Sequence, residues 1–288
     1  MSEFQKFNPK KLELREVHQL LLGSVAPRPI GFACSMSKDG HVNLAPFSYH
    51  NAFSSNPPVV GISPAFSGRT GKAKNTLNNI LNTKEFTLSV VTHNMVEQMN
   101  ICSAEYPSDV NEFKKSGLTE YDSEIISVPG VEESPLIMEC QLIQHIQFSK
   151  KPAGGNLLLG EVVQFHIKEE IYNDNDQIDP TKVDQVARLG LNWYTRASQG
   201  LFELAAPKHL PIGVDSLPDE VKNSPHFTGK HLARLASIEQ IPKREYIKDL
   251  ISTYSRLSAE DMLKICAVLV DQGKVMEGWQ VLYLAEII

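Results

Sequence analysis

Apolar runs and polar turns in the first part of the chain predict β-strands. Residues Ile30 to Ser37 are small and apolar, and the Lys38-Asp39-Gly40 that follows tolerates the positive φ of a tight turn. The chain returns through Val42 to Ser54 as a second extended run. Asn56-Pro57-Pro58 ends this run because proline cannot donate to a strand ladder, and Val59 to Ser63 predicts a third strand. Three consecutive strands favour an antiparallel meander.

Further strands and short helices follow. Glu85 to Thr92 alternates between polar and apolar residues, and Val110 to Ser116 has helical spacing. Two long runs, Leu136 to Ser149 and Asn156 to Glu169, predict a hairpin. The apolar residues of the second run cannot share one face under strict alternation, so we expect a β-bulge near Gly160.

Helical spacing dominates the end of the chain. A short helix is predicted after Leu217, and the residues from Arg244 to Arg256 have the spacing of a helix. Ser258 precedes an apolar helix face that ends at Gly273, and a last helix is expected from Val275 to about Ile287. Nothing in these residues indicates catalytic chemistry, so their role stays open: they could cover the β-domain, complete a dimer or bind another protein.

A cationic loop precedes the strand at Glu85. Residues Ser67 to Thr76 contain three cations and three hydroxyl groups, and a helix is expected to begin near Asn75 or Thr76. Free backbone amides and the helix dipole would then act together with Lys74 on one anion, which suits a phosphate group. The alternative is an ordinary solvated basic turn.

Several other function classes find no support in the sequence. The loop lacks the glycine and the Ser or Thr that a Walker phosphate loop requires, because Phe66 and Ala73 occupy those positions. Gly61-Ile62-Ser63-Pro64-Ala65 supplies only one of the two glycines of a hydrolase nucleophile elbow. No catalytic acid-base pair and no metal-binding cluster is predicted. The scattered cysteines are expected to be free buried thiols: Cys34, Cys102, Cys140 and Cys266.

The charge and hydropathy of the chain narrow its expected partners and location. A formal net charge of −6 offers no broad positive field for a nucleic-acid backbone, although a local basic pocket for a small anion is compatible with it. No apolar run approaches the length of a membrane span, and the N-terminus lacks a signal-peptide core. We therefore expect a cytoplasmic protein that binds neither nucleic acid nor membrane.

The order of four short motifs points to one family. The motifs are Ala26-Pro27-Arg28-Pro29-Ile30, Asn43-Leu44-Ala45-Pro46-Phe47-Ser48, Asn56-Pro57-Pro58 and Lys74-Asn75-Thr76. In order and spacing they resemble the flavin reductase-like family, whose members bind FMN in a split β-barrel related to flavoredoxin. The resemblance covers roughly Val17 to Pro207.

This resemblance implies a fold and an assembly. The expected fold is mainly β: a Greek-key FMN-binding split barrel of about six strands with peripheral helices, in residues 1–208. Residues 209–288 would form an α-helical C-terminal extension. Members of the family also imply a homodimer, with the flavin near the subunit interface.

The resemblance further implies the residues that contact the cofactor. The isoalloxazine ring and ribityl chain would be held by Arg28, Pro29, Asn43, Ala45, Pro46, Phe47, Ser48 and Tyr49. The phosphate would be held by Ser63, Arg69, Lys74, Asn75 and Thr76. Asn75 replaces the more common Asp of the family's Lys-Asp-Thr element, so we expect Asn75 to form a different hydrogen bond from the one that Asp makes in relatives.

Three candidate residues have open alternatives. His50 ends the strand that is expected to contact the flavin, and it is equally well explained as a half-buried histidine bonded to the backbone. Arg188 and Tyr194 resemble a family element near the flavin or the dimer interface. A Gly-Gly pair common in relatives is replaced here by Gly190-Leu191, so Tyr194 could instead be an ordinary core or interface aromatic.

The implied activity is that of an oxidoreductase. Hydride would pass from NADH or NADPH to FMN, and the electrons would continue to oxygen, free flavin, a monooxygenase or a metal centre. No dinucleotide-binding glycine motif is present, so the nicotinamide would bind directly over the flavin. Two alternatives stay open: an FMN-binding electron carrier or sensor that does not turn over, and an enzyme like pyridoxine-phosphate oxidase.

Overall fold

The computed structural model describes residues 3–245, 247–254 and 256–287 of the chain. It divides into two units, Met1–Leu201 and Phe202–Ile288, each with its own hydrophobic core. The boundary expected between residues 208 and 209 lies just inside the second unit. Within the described residues, no helix is long and apolar enough to cross a membrane.

The first unit is mainly β. Its strands are β1 (Arg28–Pro29), β2 (Gly31–Met36), β3 (Val42–Phe47), β4 (His50–Ser55), β5 (Pro58–Ile62), β6 (Glu85–Val90), β7 (Glu120–Tyr121), β8 (Gly130–Val131), β9 (Leu136–Gln147), β10 (Asn156–Ile167), β11 (Val186–Arg188) and β12 (Tyr194–Arg196). Its helices are α1 (Leu14–Ser24), α2 (Asn75–Thr83), α3 (Val96–Ile101), α4 (Glu112–Ser116) and α5 (Pro180–Val183).

Most of these strands belong to one antiparallel sheet. In the described part of the chain it has seven strands, in the order β3-β2-β6-β9-β10-β5-β4, where about six were expected. A small sheet, β1-β11-β12, pairs Arg28 with Arg188 and Arg188 with Tyr194. A mainly β fold with peripheral helices is confirmed.

The expected second strand is divided, and the expected meander is wrong. The run from Val42 to Ser54 breaks at Ser48 and Tyr49, and its halves β3 and β4 lie at opposite edges of the main sheet. Each half is held by its own hairpin partner: β3 pairs with β2, and β4 pairs with β5. Because each half forms a hairpin with a different strand, residues that are continuous in the sequence lie at opposite edges of the sheet.

The central strands confirm the predicted hairpin and bulge. Strands β9 and β10 pair along their length, with a register shift between Leu159 and Gly160. A Cβ atom at residue 160 would lie 2.4 Å from Cζ of Phe86, so only glycine fits against that buried ring. On β2, Phe32 and Ala33 point into different core clusters, which explains its continuous apolar pattern.

A buried carboxylate holds a loop against the main sheet. The side chain of Glu139, on β9, is fully buried and accepts hydrogen bonds from the backbone N–H groups of Glu124, Ile125 and Ile126 at 2.7–2.9 Å. Nε2 of His166, on β10, lies 2.6 Å from the same carboxylate. Burial acts to raise the pKa of Glu139, but these hydrogen bonds outweigh it and lower the pKa below its ordinary value.

The second unit is helical. Its helices are α6 (Asp219–Lys222), α7 (Gly229–Leu235), α8 (Lys248–Tyr254), α9 (Ala259–Asp271) and α10 (Val275–Leu284). The helices expected after Leu217, after Ser258 and from Val275 are present, whereas α7 was not predicted. The expected helix over Arg244 to Arg256 is observed as α8, and Tyr246 and Ser255 of that range lie outside the described residues.

The core of the second unit surrounds the fully buried Trp279, whose indole N–H donates to the carbonyl of Leu235 at 3.1 Å. Burying this large side chain with its polar atom paired is favourable. The four cysteines of the chain are all free and buried, as predicted.

Candidate functional site

The predicted site residues surround two main cavities. The first cavity has a volume of about 440 Å³, within the range of small-molecule sites. Strand β3, the N-terminus of α2 and the segment Cys102–Ser108 form its walls. The predicted residues that line it are Asn43, Ala45, Pro46, Phe47, Lys74, Asn75 and Thr76.

Side-chain hydrogen bonds fix the β3 and α2 walls of the first cavity. Nδ2 of Asn43 donates to Oγ1 of Thr76 at 2.9 Å, and both side chains are buried. Nδ2 of Asn75 donates to the carbonyl of Tyr106 at 3.2 Å, on the third wall. The predicted strand and the predicted phosphate helix are thus joined directly, and the cavity between them is preformed.

The N-terminus of α2 has the features of an anion site. Lys74 is the N-cap residue, and its side chain makes no capping hydrogen bond to the helix. The first amides of the helix therefore lack a side-chain acceptor, and the positive end of the helix dipole lies at the cavity. Nζ of Lys74 is 3.4 Å from a carboxylate oxygen of Glu105.

The third wall was missed by the sequence analysis. It comprises Cys102–Ser108 together with Glu112, the first residue of α4. The signal that could have found it is a polar stretch, Ser103 to Ser108, between two short helices, followed by Asn111 as an N-cap whose side chain accepts from the amide of Phe113. Its position beside α2 depends on the tertiary fold.

Two titratable groups on this wall are shielded from water. The carboxylate of Glu112 is 3% exposed and accepts the backbone N–H of Leu44 at 3.0 Å, which ties α4 to the edge strand β3. Burial raises the pKa of Glu112, and the bond from Leu44 offsets this in part. Burial also raises the pKa of the Cys102 thiol to about 11, so this cysteine stays protonated at neutral pH.

The second cavity has a volume of about 360 Å³ and is lined by residues from the second half of the divided run, from Ser48 onward. The predicted residues that line it are Arg28, Pro29, Ser48, Tyr49, His50 and Ser63. Ser63, which was assigned to the phosphate, lies here rather than beside α2, because its backbone N–H donates to the carbonyl of Tyr49 at 2.8 Å. Phe47, which lines the first cavity, is followed directly in the chain by Ser48, which lines the second.

Arg28 is held firmly by the backbone. Its side chain donates to the carbonyls of Leu22, Val25 and Leu189, with distances of 2.7 Å to Leu22 and 2.9 Å to Leu189. A longer contact of 3.4 Å reaches Oγ of Ser48. Arg28 therefore connects the C-terminal end of α1 to the loop after β11, and its contact with flavin stays a prediction.

His50 is bonded to the backbone. Its Nδ1 lies 2.9 Å from the carbonyl oxygen of Gly61 and must donate to it, which leaves a lone pair on Nε2 of the neutral ring. Burial lowers the pKa of His50, and the bond to Gly61 opposes this in part. The ring is therefore neutral at physiological pH, whether or not it also contacts a ligand.

The remaining predicted residues lie outside both cavities. Nη1 of Arg188 donates to the Tyr194 hydroxyl at 2.6 Å, and both residues line a separate cavity beside α3. Arg69 is 84% exposed, with Nη2 at 3.5 Å from Glu105. Arg69 therefore lies next to Glu105, a lining residue of the first cavity, whereas Arg188 and Tyr194 line a different cavity.

Comparison with known proteins identifies the family. The sequence model of the flavin reductase like domain matches residues 22–201 of this chain. The chain belongs to the flavin reductase-like family. The match spans the first unit from the end of α1 and includes every predicted site residue.

Individual proteins and solved structures are also similar to this chain. The chain is 37% identical over 207 residues to an uncharacterized protein of Halalkalibacterium halodurans, covering 70% of this chain and 96% of that protein. Nitrilotriacetate monooxygenase component B from Bacillus cereus is 32% identical with a TM-score of 0.66, covering 71% of this chain and 100% of the other. A split barrel domain protein from Shewanella frigidimarina, 24% identical, has a TM-score of 0.60 over 70% of this chain and 100% of that one. The last similarity shows the split-barrel fold of the flavin reductase-like unit.

Proposed function

We propose that this protein is an NAD(P)H-dependent flavin reductase that binds FMN. The family and its flavin-related relatives support a flavin-related oxidoreductase. The finer proposal depends mainly on one observation: the uncapped N-terminus of α2, with Lys74, lines the same cavity as the small and apolar residues of β3. A phosphate and a flat apolar ring system are the two parts that such a cavity fits.

The residues of the first cavity suit FMN. The amides at the start of α2, with Lys74 and Asn75, offer hydrogen-bond donors to a phosphate monoester. Ala45 and Pro46 carry no polar side-chain groups, so a ring can lie close to the strand. Residues of the second cavity follow directly along the chain, and Ser48, Tyr49 and His50 would face the end of the flavin away from the phosphate.

The chain contributes position rather than reactive side chains. When bound, FMN supplies the hydride-accepting chemistry and passes electrons onward. The protein would hold the ring, exclude water from one face and leave the other face open for the nicotinamide. The buried thiol of Cys102 and the neutral ring of His50 are consistent with a site that needs no protein nucleophile.

The electron acceptor is proposed by similarity. Component B of nitrilotriacetate monooxygenase is similar to 71% of this chain over its full length. A monooxygenase that receives reduced flavin from this protein is therefore the proposed partner, with oxygen and free flavin as further acceptors.

We also propose a homodimer. Helix α1 has no buried residue, although Leu14, Leu20 and Leu21 lie on it, and β4 exposes Phe53 at the edge of the main sheet. Val25, just after α1, and Phe53 are both exposed and line the second cavity, so apolar surface is present on both sides of it. A second copy that covers them would remove an exposed sheet edge. Sedimentation of Phe53→Lys should show weaker dimerisation than the unmodified protein.

Anaerobic stopped-flow mixing tests the proposed activity. The FMN-loaded protein is mixed with NADH or NADPH, and the loss of flavin absorbance is followed. Bleaching much faster than that of free FMN is expected with at least one nicotinamide. Bleaching no faster than that of free FMN would contradict the reductase and favour an electron carrier or sensor. A protein that takes up no FMN would contradict both.

A further inference from the structure

One carboxylate stands at the predicted phosphate subsite. The two side-chain oxygens of Glu105 face different cations: Oε1 lies 3.4 Å from Nζ of Lys74, and Oε2 lies 3.5 Å from Nη2 of Arg69. Both cations were assigned to the phosphate from sequence. Glu105 comes from the third wall of the first cavity, which lies beside the N-terminus of α2.

These ion pairs are loose. Both distances exceed the 2.7–2.9 Å typical of a charge-assisted hydrogen bond. The side chain of Glu105 is 46% exposed and that of Lys74 is 35% exposed, so water screens the attraction. Exposed pairs of this kind contribute little to folding. Their geometry suits a contact that forms and breaks more than one that holds the fold together.

We propose that Glu105 is an internal competitor for the phosphate of FMN. This inference rests on the proposed function, because it concerns the same cavity. Without ligand, the Glu105 carboxylate lies within ion-pair distance of both Lys74 and Arg69 and offsets part of their positive charge. A phosphate that binds at the start of α2 takes over both cations, and Glu105 must then withdraw or remain as a nearby like charge.

This arrangement determines how tightly and how selectively flavin is held. The cost of displacing Glu105 falls on FMN, which carries the phosphate, and leaves riboflavin, which has none, unaffected. Glu105 therefore lowers the preference for FMN over riboflavin. It also favours release of FMN, as expected for a protein that hands reduced flavin to an acceptor.

Titration of the apoprotein with FMN and with riboflavin tests the proposal. The variant is Glu105→Gln, which keeps the shape of the side chain and removes its charge. The matched control is Asp109→Asn, which removes the same charge from an exposed residue just past the segment and outside the cavity lining. Thermal unfolding of each variant verifies that it is folded.

The expected result is specific to the charged ligand. Glu105→Gln should bind FMN roughly three- to tenfold more tightly, the scale of two exposed ion pairs, while its riboflavin affinity stays unchanged. Asp109→Asn should change neither affinity by as much. The gain should shrink at high salt, and it should also shrink when Lys74 is replaced by Ala in the same chain.

Other outcomes separate the two proposals. If the unmodified protein binds FMN and Glu105→Gln binds it equally or less tightly, then Glu105 orients the cations rather than competing for them, and this inference is overturned while the proposed function stands. An equal gain for riboflavin would overturn it as well, because the effect would not involve phosphate. If neither the unmodified protein nor the variants bind FMN, both proposals are wrong.

Discussion

Arg28 and Lys74 are both cations that the family resemblance assigns to the flavin, and their surroundings are opposite. Arg28 is 3% exposed and donates to three backbone carbonyls, two at the end of α1 and one in the loop after β11. Lys74 is partly exposed at the cavity mouth, where its ion-pair partner is the exposed side chain of Glu105. Arg28 is therefore bonded to buried backbone carbonyls, whereas Lys74 is paired with the exposed side chain of Glu105.

The same contrast separates two carboxylates. Glu139 is fully buried and accepts three backbone N–H groups, whereas Glu105 is half exposed and contacts two flexible cations. Charges bonded to buried backbone stabilise the fold, because removing them leaves unpaired polar groups. Charges bonded to exposed side chains remain available to a ligand. The surroundings of a charge therefore indicate its role more clearly than its place in a motif.

Replacement of Arg28 should have the largest effect. Arg28→Ala removes the donors to the carbonyls of Leu22, Val25 and Leu189 and leaves them without these partners. The free energy of unfolding should fall by about 3 to 5 kcal/mol, measured by denaturant titration. Arg15→Ala, at an exposed position on α1, is the control and should change it by less than about 0.5 kcal/mol. A stable Arg28→Ala protein with weak FMN binding would instead assign Arg28 to the flavin.

Glu139→Gln should have the next largest effect, and the effect should depend on pH. The substitution puts an NH₂ group or a weaker acceptor opposite backbone N–H groups, so unfolding at pH 7 should become easier by about 2 to 3 kcal/mol. The folded pKa of Glu139 lies below its ordinary value of 4.5. The ionised Glu139 therefore contributes its full share of the free energy of unfolding above pH 4.5, and this share is lost as the pH falls through the folded pKa.

Denaturant titrations at pH 7 and at the lowest pH where the protein remains folded measure this difference. The difference in the free energy of unfolding between Glu139→Gln and the unmodified protein should be smaller at the lower pH. Glu132→Gln, at an exposed neighbouring position, should show no such difference at either pH. A difference independent of pH would show that shape, and not charge, makes Glu139 important.

Replacement of Lys74 should have the smallest effect of these three substitutions. It should change FMN binding and leave the stability of the fold unchanged. Lys74→Ala removes one charge-assisted contact to phosphate, worth roughly 1.5 to 3 kcal/mol, so FMN affinity should fall by about one to two powers of ten. Riboflavin affinity and unfolding should stay close to those of the unmodified protein. Fluorescence titration with both flavins measures this. An equal loss for riboflavin would show that Lys74 does not hold phosphate.

Local features of the fold could be predicted from the sequence. The β9–β10 hairpin, the bulge at Gly160, the end of α9 before Gly273 and the start of α10 at Val275 depend on periodicity, turn residues and glycine within a few positions of one another, whereas α10 ends at Leu284 and not near Ile287. The start of α2 at Asn75 was predicted in the same way. Neighbouring residues determine these features, so the amino-acid sequence by itself is sufficient to specify them.

The assembly of the candidate site was decided only by the tertiary structure. The pairing of β3 and β4 with different partners divided a continuous run between two cavities. Lys74 and Glu105 are 31 positions apart, and Arg28 and Leu189 are 161 positions apart. Periodicity along the chain carries no information about contacts at such separations, because they depend on which strands pair and on how the loops between them close. The sequence therefore identified the cations, and only the folded chain determined that Arg28 is bonded to backbone carbonyls and that Lys74 is partly exposed beside Glu105.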